Sequence, residues 1–148
     1  MTNNMPKCYL DSNLLIYWDN KSSAKHHAAS ILIERLEKAE TTLYISPLVL
    51  DEFLHAIILE ARKVKSLDIY TTAMEALNNL LELPLLFIVN PPPDFDSQKA
   101  VVRLMQEYSL RPRDAYHLLT MQANKIHSFA TFDSDFSKVF ATKILNKV

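Results

Sequence analysis

The sequence predicts one α/β domain over residues 1–148, in which helices cover both faces of a mostly parallel sheet. Short strand-like runs alternate with longer segments of helical periodicity, and this alternation is typical of parallel α/β folds. A length of 148 residues is enough for one hydrophobic core and short for two. The content of 49% hydrophobic and 22% charged residues excludes intrinsic disorder over most of the chain.

Five apolar runs have the length and the β-branched or aromatic content of strands. In chain order they are residues 7–10, 43–46, 86–89, 128–132 and, as the weakest of the five, 141–145. Residues 90–94 contain three consecutive prolines, which neither a helix nor a central strand accommodates. A loop is therefore expected between the third strand and the following helix.

Helical segments separate these strands. Ser46 followed by Pro47 is a typical helix start, because serine caps the first turn and proline has the required φ. A broad apolar face then continues over residues 48–61. Further helices are expected over residues 24–38, 66–82 and 96–108 and after Pro112. Asn124 is expected to end the last of these in the left-handed conformation that glycine usually adopts.

The residue inventory excludes several classes of function. The chain has no glycine, which phosphate-binding loops, dinucleotide fingerprints and serine-hydrolase elbows all require. Its single cysteine, Cys8, excludes an internal disulfide and Cys-rich zinc sites. No apolar stretch reaches the roughly 18 residues of a membrane span. Because residues 1–7 also lack a signal pattern, we expect a cytoplasmic protein that does not contact membranes.

Carboxylates follow the predicted strands and open the next helices. They are Asp11, Asp51, Glu52, Asp114, Asp133 and Asp135. Because the carboxyl ends of parallel strands meet at one edge of a sheet, these side chains are expected to share a cleft. Mg²⁺ and Mn²⁺ prefer such oxygen ligands, and either ion relieves the repulsion among carboxylates. A bound ion also lowers the pKa of water, which favours attack on a phosphodiester.

Four short motifs follow one another along the chain: YLDSN at 9–13, SPLVLDE at 46–52, RDAYHL at 113–118 and TFDSDF at 131–136. In this order they resemble the PIN-domain nucleases and, within them, the small VapC-like toxin ribonucleases. The resemblance covers nearly the whole chain and implies a five-stranded parallel sheet. It implies an endoribonuclease that hydrolyses RNA phosphodiester bonds with Mg²⁺ or Mn²⁺. It further implies a homodimer and a cognate antitoxin that holds the toxin inactive.

The resemblance also implies roles for individual residues. The acidic set that would catalyse cleavage and bind metal is Asp11, Glu52, Asp114 and Asp133, with Asp135 as a helper or substitute. Ser12 and Asn13 match the polar pair beside the first aspartate, which would hold a metal-bound water or the carboxylate itself. Asn124 departs from the family pattern, in which a glycine is expected, but asparagine tolerates positive φ.

Basic side chains near the third motif are candidates for contacts with RNA phosphates, because a net charge of −1 leaves nucleic-acid binding to local patches. These candidates are Arg103, Arg111 and Arg113. A second basic group after the first helix consists of Lys21, Lys25, His26 and His27, and bases could stack on Tyr116, Phe132 or Trp18. An ordinary solvated surface is the alternative for each basic residue, and core packing is the alternative for the aromatic residues.

Each carboxylate taken singly has a structural explanation. Asp11 and Asp133 could cap helices, and Glu52 and Asp114 could lie near helix N-termini, where the dipole favours acids. Arg111 or Arg113 could also pair with the acid of their helix. Four such residues on one edge of the sheet by chance are a poor explanation, so the set favours the metal site.

Two other folds use related patterns. Glu52 with His55, and Asp114 with His117, have the i, i+3 spacing of di-iron helical bundles, but the remaining ligands and helices are missing. Both histidines are then expected to pack or form hydrogen bonds along the cleft. A phosphoryl-accepting fold would need a second aspartate where Asn13 stands or a suitably placed lysine after a later strand, and the sequence around Asp133 does not supply one. The rival in function is a non-catalytic module of the same fold that binds RNA or protein.

Overall fold

Five parallel strands form the centre of the computed structural model, which describes residues 5–148. They are β1 (Lys7–Leu10), β2 (Thr42–Ile45), β3 (Leu86–Ile88), β4 (Ser128–Ala130) and β5 (Asn146–Lys147). Their order in the sheet is β3-β2-β1-β4-β5, and every neighbouring pair is parallel. The predicted five-stranded parallel sheet is confirmed.

Seven α-helices and one 3₁₀ turn connect these strands within residues 5–148. The helices are α1 (Ser12–Asp19), α2 (His26–Lys38), α3 (Pro47–Lys63), α4 (Ile69–Leu81), α5 (Phe95–Tyr108), α6 (Pro112–Ala123) and α7 (Ser137–Ala141), and the turn is Ser134–Phe136. No helix in this part of the chain combines the length and the hydropathy that a membrane crossing requires. The polar start predicted over residues 1–7 lies partly outside the described residues.

The strand order places helices on both faces of the sheet. From β1 to β3 the chain moves toward one edge, and right-handed crossovers put α1 to α4 on one face. The chain then crosses back to β4 and continues to β5, so that α5 to α7 cover the opposite face. Helix α1 packs against α2, α3 and α4, and α5 packs against α6. The direction of the crossovers reverses between β1 and β4, and such switch points form crevices at the carboxyl ends of the strands.

Side-chain caps set several helix starts. Ser46 Oγ accepts the Val49 N–H at 3.3 Å, which confirms the predicted start of α3. Asp68 accepts two backbone N–H groups at the start of α4, and Asp94 accepts the Ser97 N–H at 3.0 Å at the start of α5. Because Asp68 is the N-cap of α4, the helix begins at Ile69 and not at residue 66.

Two local predictions are wrong. Residues 141–145 do not form the fifth strand, because Ala141 ends α7 and β5 pairs with β4 at Asn146–Lys147. The left-handed residue after α6 is Lys125, with φ of 55°, whereas Asn124 has φ of −100°. The Asn124 amide instead donates to the carbonyl oxygens of Thr120 at 2.8 Å and Asn90 at 3.1 Å, which joins the end of α6 to the proline-rich loop.

Candidate metal centre

The predicted carboxylates lie around a cleft of about 500 Å³ at the carboxyl edge of the sheet. Its lining consists of Glu52, Arg111, Pro112, Arg113, Asp114, Asp133 and Asp135. Helix α3 contributes the glutamate, the first turn of α6 contributes Asp114, and the segment after β4 contributes the other two aspartates. The sequence-based expectation of a shared cleft therefore agrees with the structure for these four carboxylates.

Three aspartates form the tightest group in this cleft. One carboxylate oxygen each from Asp114, Asp133 and Asp135 lies within 4.8 Å of the other two. Asp133 also caps the 3₁₀ turn, since its Oδ1 accepts the Asp135 N–H at 2.9 Å. Desolvation raises the pKa of Asp114, and the charges of Asp133 and Asp135 raise it further. The donor set consists of carboxylate oxygens and therefore fits a hard divalent cation such as Mg²⁺ or Mn²⁺.

Asp11 lies below the cleft and not in its lining. It is buried at the end of β1, where Oδ1 accepts the Ser12 N–H at 2.8 Å and caps α1. Its Oδ2 accepts the Thr131 hydroxyl at 2.6 Å, and Thr131 Oγ1 accepts the Asp133 N–H at 2.9 Å. Burial raises the pKa of Asp11, and the nearby Glu52 raises it further. Thr131 thus connects Asp11 to the aspartates of the cleft.

The polar pair after Asp11 has unequal roles in this arrangement. Asn13 Nδ2 donates to Thr131 Oγ1 at 3.3 Å, and its Oδ1 accepts the Phe132 N–H at 3.2 Å. Asn13 therefore orders the segment that carries Asp133, whereas Ser12 is buried and holds Asp11 through its backbone. Sequence reasoning missed Thr131, although its position at the end of β4, two residues before Asp133, was an available signal.

Glu52 is held by a buried hydrogen-bonded chain. Its Oε1 lies 2.6 Å from His117 Nε2, and His117 Nδ1 lies 2.7 Å from the Tyr9 hydroxyl. The same hydroxyl lies 2.7 Å from Ser46 Oγ. The hydrogen-bonding role expected for His117 is confirmed. His55 is exposed and does not line the cleft, so the same expectation is wrong for that residue.

Two of the three candidate arginines reach the cleft. Arg111 and Arg113 are exposed and line it, and neither forms an ion pair with a carboxylate within the described residues. Their pairing with Asp114, the structural alternative, is therefore not observed. Arg103 is exposed on α5 and is not part of the lining. Nearby, Lys25 Nζ lies 5.0 Å from the ring centroid of Tyr17 and 6.0 Å from that of Phe132, next to Asp133.

Comparisons with known proteins show which sequence and which folds this chain is similar to. Ribonuclease VapC2 of Methanocaldococcus jannaschii is 32% identical over 144 residues, which cover 94% of this chain and 93% of that protein. Two solved structures share the fold. VapC20 of Mycobacterium tuberculosis, described as a sarcin-ricin loop cleaving toxin, has a TM-score of 0.61 and 20% identity, with 89% and 94% of the two chains covered. VapBC2 of Rickettsia felis, bound to a promoter DNA fragment, has a TM-score of 0.66 and 18% identity, with 96% and 97% covered.

A family model adds the decisive observation. Residues 8–140 match the model described as the PIN domain, and this range contains every carboxylate of the site. The match extends over far more than half of the chain, and the 32% identity to VapC2 is independent of it. The chain therefore belongs to the PIN domain family.

Proposed function

We propose that this protein is a metal-dependent endoribonuclease that hydrolyses RNA phosphodiester bonds and acts as the toxin of a toxin–antitoxin pair. The observation that carries the proposal is the group formed by Asp114, Asp133 and Asp135, whose oxygens lie within 4.8 Å of one another in an open cleft. Similarity to a ribonuclease over 94% of the chain supports the choice of RNA as the substrate. We further propose that residues 1–148 act as one domain in the cytoplasm.

The residues of the cleft divide the work of holding the cation. Asp114, Asp133 and Asp135 would bind Mg²⁺ or Mn²⁺ directly or through water, and Glu52 would complete the site from α3. Buried Asp11 would act from below, through a water or by adding negative charge beneath the cation. The chemistry that the bound cation supplies is a water of lowered pKa and positive charge beside the scissile phosphate.

Positive side chains at the rim would bind the RNA backbone. Arg111 and Arg113 line the cleft without ion pairs, so their guanidinium groups are available for phosphate oxygens. Arg103 does not line the cleft and would contact RNA only outside it. Phe132 and Tyr17, with Lys25 above both rings, offer a stacking surface beside Asp133.

An antitoxin and a second copy of the chain are the proposed protein partners. Solved structures with this fold include a VapBC2 assembly and a toxin–antitoxin complex from Klebsiella pneumoniae. The exposed apolar side chains on and just before α4 are where we place an interface, since such patches on soluble proteins often mark contact surfaces. They are Leu67, Tyr70, Met74 and Leu81.

Cleavage of a labelled, mixed-sequence RNA by the purified protein tests the function. Internal cleavage is expected with Mg²⁺ or Mn²⁺ and should disappear with a chelator. Asp114→Asn should reduce the rate by about 100-fold or more, because it removes a ligand of the cation that lowers the pKa of the attacking water. Asp51→Asn is the matched control, because Asp51 is an exposed acid next to Glu52 that does not line the cleft.

Two results would contradict this assignment. Cleavage that persists in chelator, or is undiminished by Asp114→Asn, would exclude the metal site as the source of activity. A folded protein that binds the RNA tightly and leaves it intact with every metal would instead favour the non-catalytic module.

A further inference from the structure

The buried chain of hydrogen bonds that reaches Glu52 begins at the N-cap of α3 and ends on α3 itself. Ser46 caps α3, contacts Tyr9 on β1, and Tyr9 contacts His117 on α6, which returns to Glu52 in the second turn of α3. The Tyr9 hydroxyl lies 2.7 Å from both Ser46 Oγ and His117 Nδ1, and His117 Nε2 lies 2.6 Å from Glu52 Oε1. Tyr9, Ser46 and His117 have relative exposures of 0%, 1% and 2%, so water cannot replace the two contacts of the Tyr9 hydroxyl. The chain therefore ties α3 to the central strand and to α6.

The available donors give this chain one direction. Ser46 Oγ accepts the Val49 N–H, and the Ser46 hydroxyl proton is then free to be donated to Tyr9. With the Ser46 proton directed at Tyr9, the Tyr9 hydroxyl is left to donate to His117 Nδ1, and Nε2 then carries the proton that faces the Glu52 carboxylate. The opposite direction would leave the buried Ser46 proton without an acceptor within residues 5–148. Burial also raises the pKa of Tyr9, so its hydroxyl remains a donor.

We propose that Tyr9 and His117 are positioning residues that fix the Glu52 carboxylate and the spacing between α3 and α6 at the metal site. This inference rests on the proposed function, because it assigns Glu52 to the metal centre. His117 follows Asp114 by three residues on α6, so its imidazole lies one turn below that candidate ligand. The contact between His117 and Glu52 thereby sets how far apart two candidate metal ligands, one on each helix, can lie.

The contact also determines which oxygen of Glu52 is available. The imidazole occupies Oε1, so Oε2 is the oxygen left for a cation or its water. A leucine at position 117 could fill a similar volume without polar groups that need partners. A fully paired buried network specifies a single arrangement of its members, and here that arrangement includes a candidate ligand.

Three variants separate positioning from packing. His117→Leu removes both ring nitrogens, His117→Gln restores an N–H donor, and Tyr9→Phe removes only a hydroxyl. Tyr44→Phe is the matched control for Tyr9→Phe, because Tyr44 is the register partner of Tyr9 on β2 and takes no part in the chain. His55→Leu is the corresponding control on the exposed surface of α3.

The first measurement is the affinity for Mn²⁺, determined by calorimetry, with the melting temperature recorded for each variant. His117→Leu is expected to weaken Mn²⁺ binding by about 10- to 100-fold, the usual effect of removing a group that orients a metal ligand. His117→Gln should recover most of that loss, Tyr9→Phe should give an intermediate value, and both controls should match the wild type. The second measurement is the ¹⁵N spectrum of the His117 ring, which should show the proton on Nε2 and an acceptor at Nδ1.

Unchanged Mn²⁺ affinity in folded His117→Leu, or a proton on Nδ1 in place of Nε2, would overturn the inference. If His117→Leu does not fold, the comparison of Tyr9→Phe with Tyr44→Phe decides, and equal affinities in these two overturn it. A wild-type protein that leaves RNA intact but binds Mn²⁺ in a His117-dependent way would refute the proposed ribonuclease and support the positioning role.

Discussion

The five carboxylates of the candidate site are of two kinds. Asp11 and Glu52 are held from behind, Asp11 by the Thr131 hydroxyl at 2.6 Å and Glu52 by the His117 ring at 2.6 Å. The three aspartates at the cleft surface instead face one another, and desolvation, together with the charges of the other two, raises the pKa of Asp114. One half of the site, Asp11 and Glu52, is therefore fixed before a ligand arrives. The other half is electrostatically unfavourable until positive charge is bound.

Thr131→Val tests the fixed half and should have the largest effect on the fold. The substitution keeps the shape of the side chain but removes the donor to Asp11 and the acceptor for the Asp133 N–H. Leaving the buried Oδ2 of Asp11 without its donor should lower the free energy of unfolding by about 1–3 kcal/mol. Urea denaturation measures this loss, and RNA cleavage should fall with it.

The control for this substitution is Thr120→Val. Thr120 is equally buried, but its hydroxyl donates only to the Tyr116 carbonyl oxygen one helical turn earlier. A smaller loss of stability with normal cleavage is expected for Thr120→Val. Equal losses in the two variants would show that Thr131 has no special relation to the acids.

Arg111→Gln tests whether the positive charge at the rim of the cleft binds RNA. Because Arg111 lines the cleft without an ion pair, its loss should weaken RNA binding and leave folding unaffected. The slope of the logarithm of affinity against the logarithm of salt concentration should fall by about 1, as for one lost phosphate contact. Arg103→Gln, which lies outside the cleft lining, should change both quantities less. Filter binding at several salt concentrations measures them, and equal slopes for the two variants would exclude a specific role for Arg111.

The pH dependence of stability should have opposite signs for Asp114 in the site and for Asp94, which caps α5. Because the pKa of Asp114 is raised, its contribution to the free energy of unfolding is most favourable below pH 3.8, its ordinary pKa. This contribution is lost as the pH rises through the folded-state pKa. Hydrogen bonds from Ser97 lower the pKa of Asp94. Its contribution to the free energy of unfolding is therefore present above pH 3.8 and is lost as the pH falls through the folded-state pKa.

Thermal unfolding of metal-free protein between pH 3 and 7 checks these signs. Asp114→Asn should stabilise the protein increasingly as pH rises, whereas Asp94→Asn should destabilise it over the same range. Added Mn²⁺ should stabilise the wild type more than Asp114→Asn. A destabilised Asp114→Asn protein at neutral pH, without metal, would show that the open half is not under electrostatic strain.

Local patterns in the sequence were sufficient for most of the fold. The first four strands begin within one residue of their predicted positions, because each is a short apolar run bounded by polar residues or proline. The fifth could not be placed in this way. Its two residues are exposed, and β5 exists because the Asn146 N–H bonds the His127 carbonyl oxygen at 2.7 Å beside β4.

The site shows the same division between local and long-range information. Strand ends followed by acids predicted the cleft, since topology alone brings such positions together. The hydroxyls of Tyr9 and Thr131 contact residues more than a hundred positions away, and no spacing in the sequence indicates those pairs. Arg103 was assigned to the cleft from proximity along the chain, which does not determine where its side chain on α5 lies.

The absence of glycine from the sequence affects both the native backbone and the unfolded state of the protein. Within residues 5–148, six residues other than glycine adopt positive φ, among them Glu40, Lys65 and Lys125, each two residues beyond the end of a helix. Each such residue costs about 1 kcal/mol in the native backbone. A chain that lacks glycine also samples fewer conformations when unfolded, and less entropy is lost when it folds. The protein therefore accepts strain at its helix ends and begins folding from a more restricted ensemble.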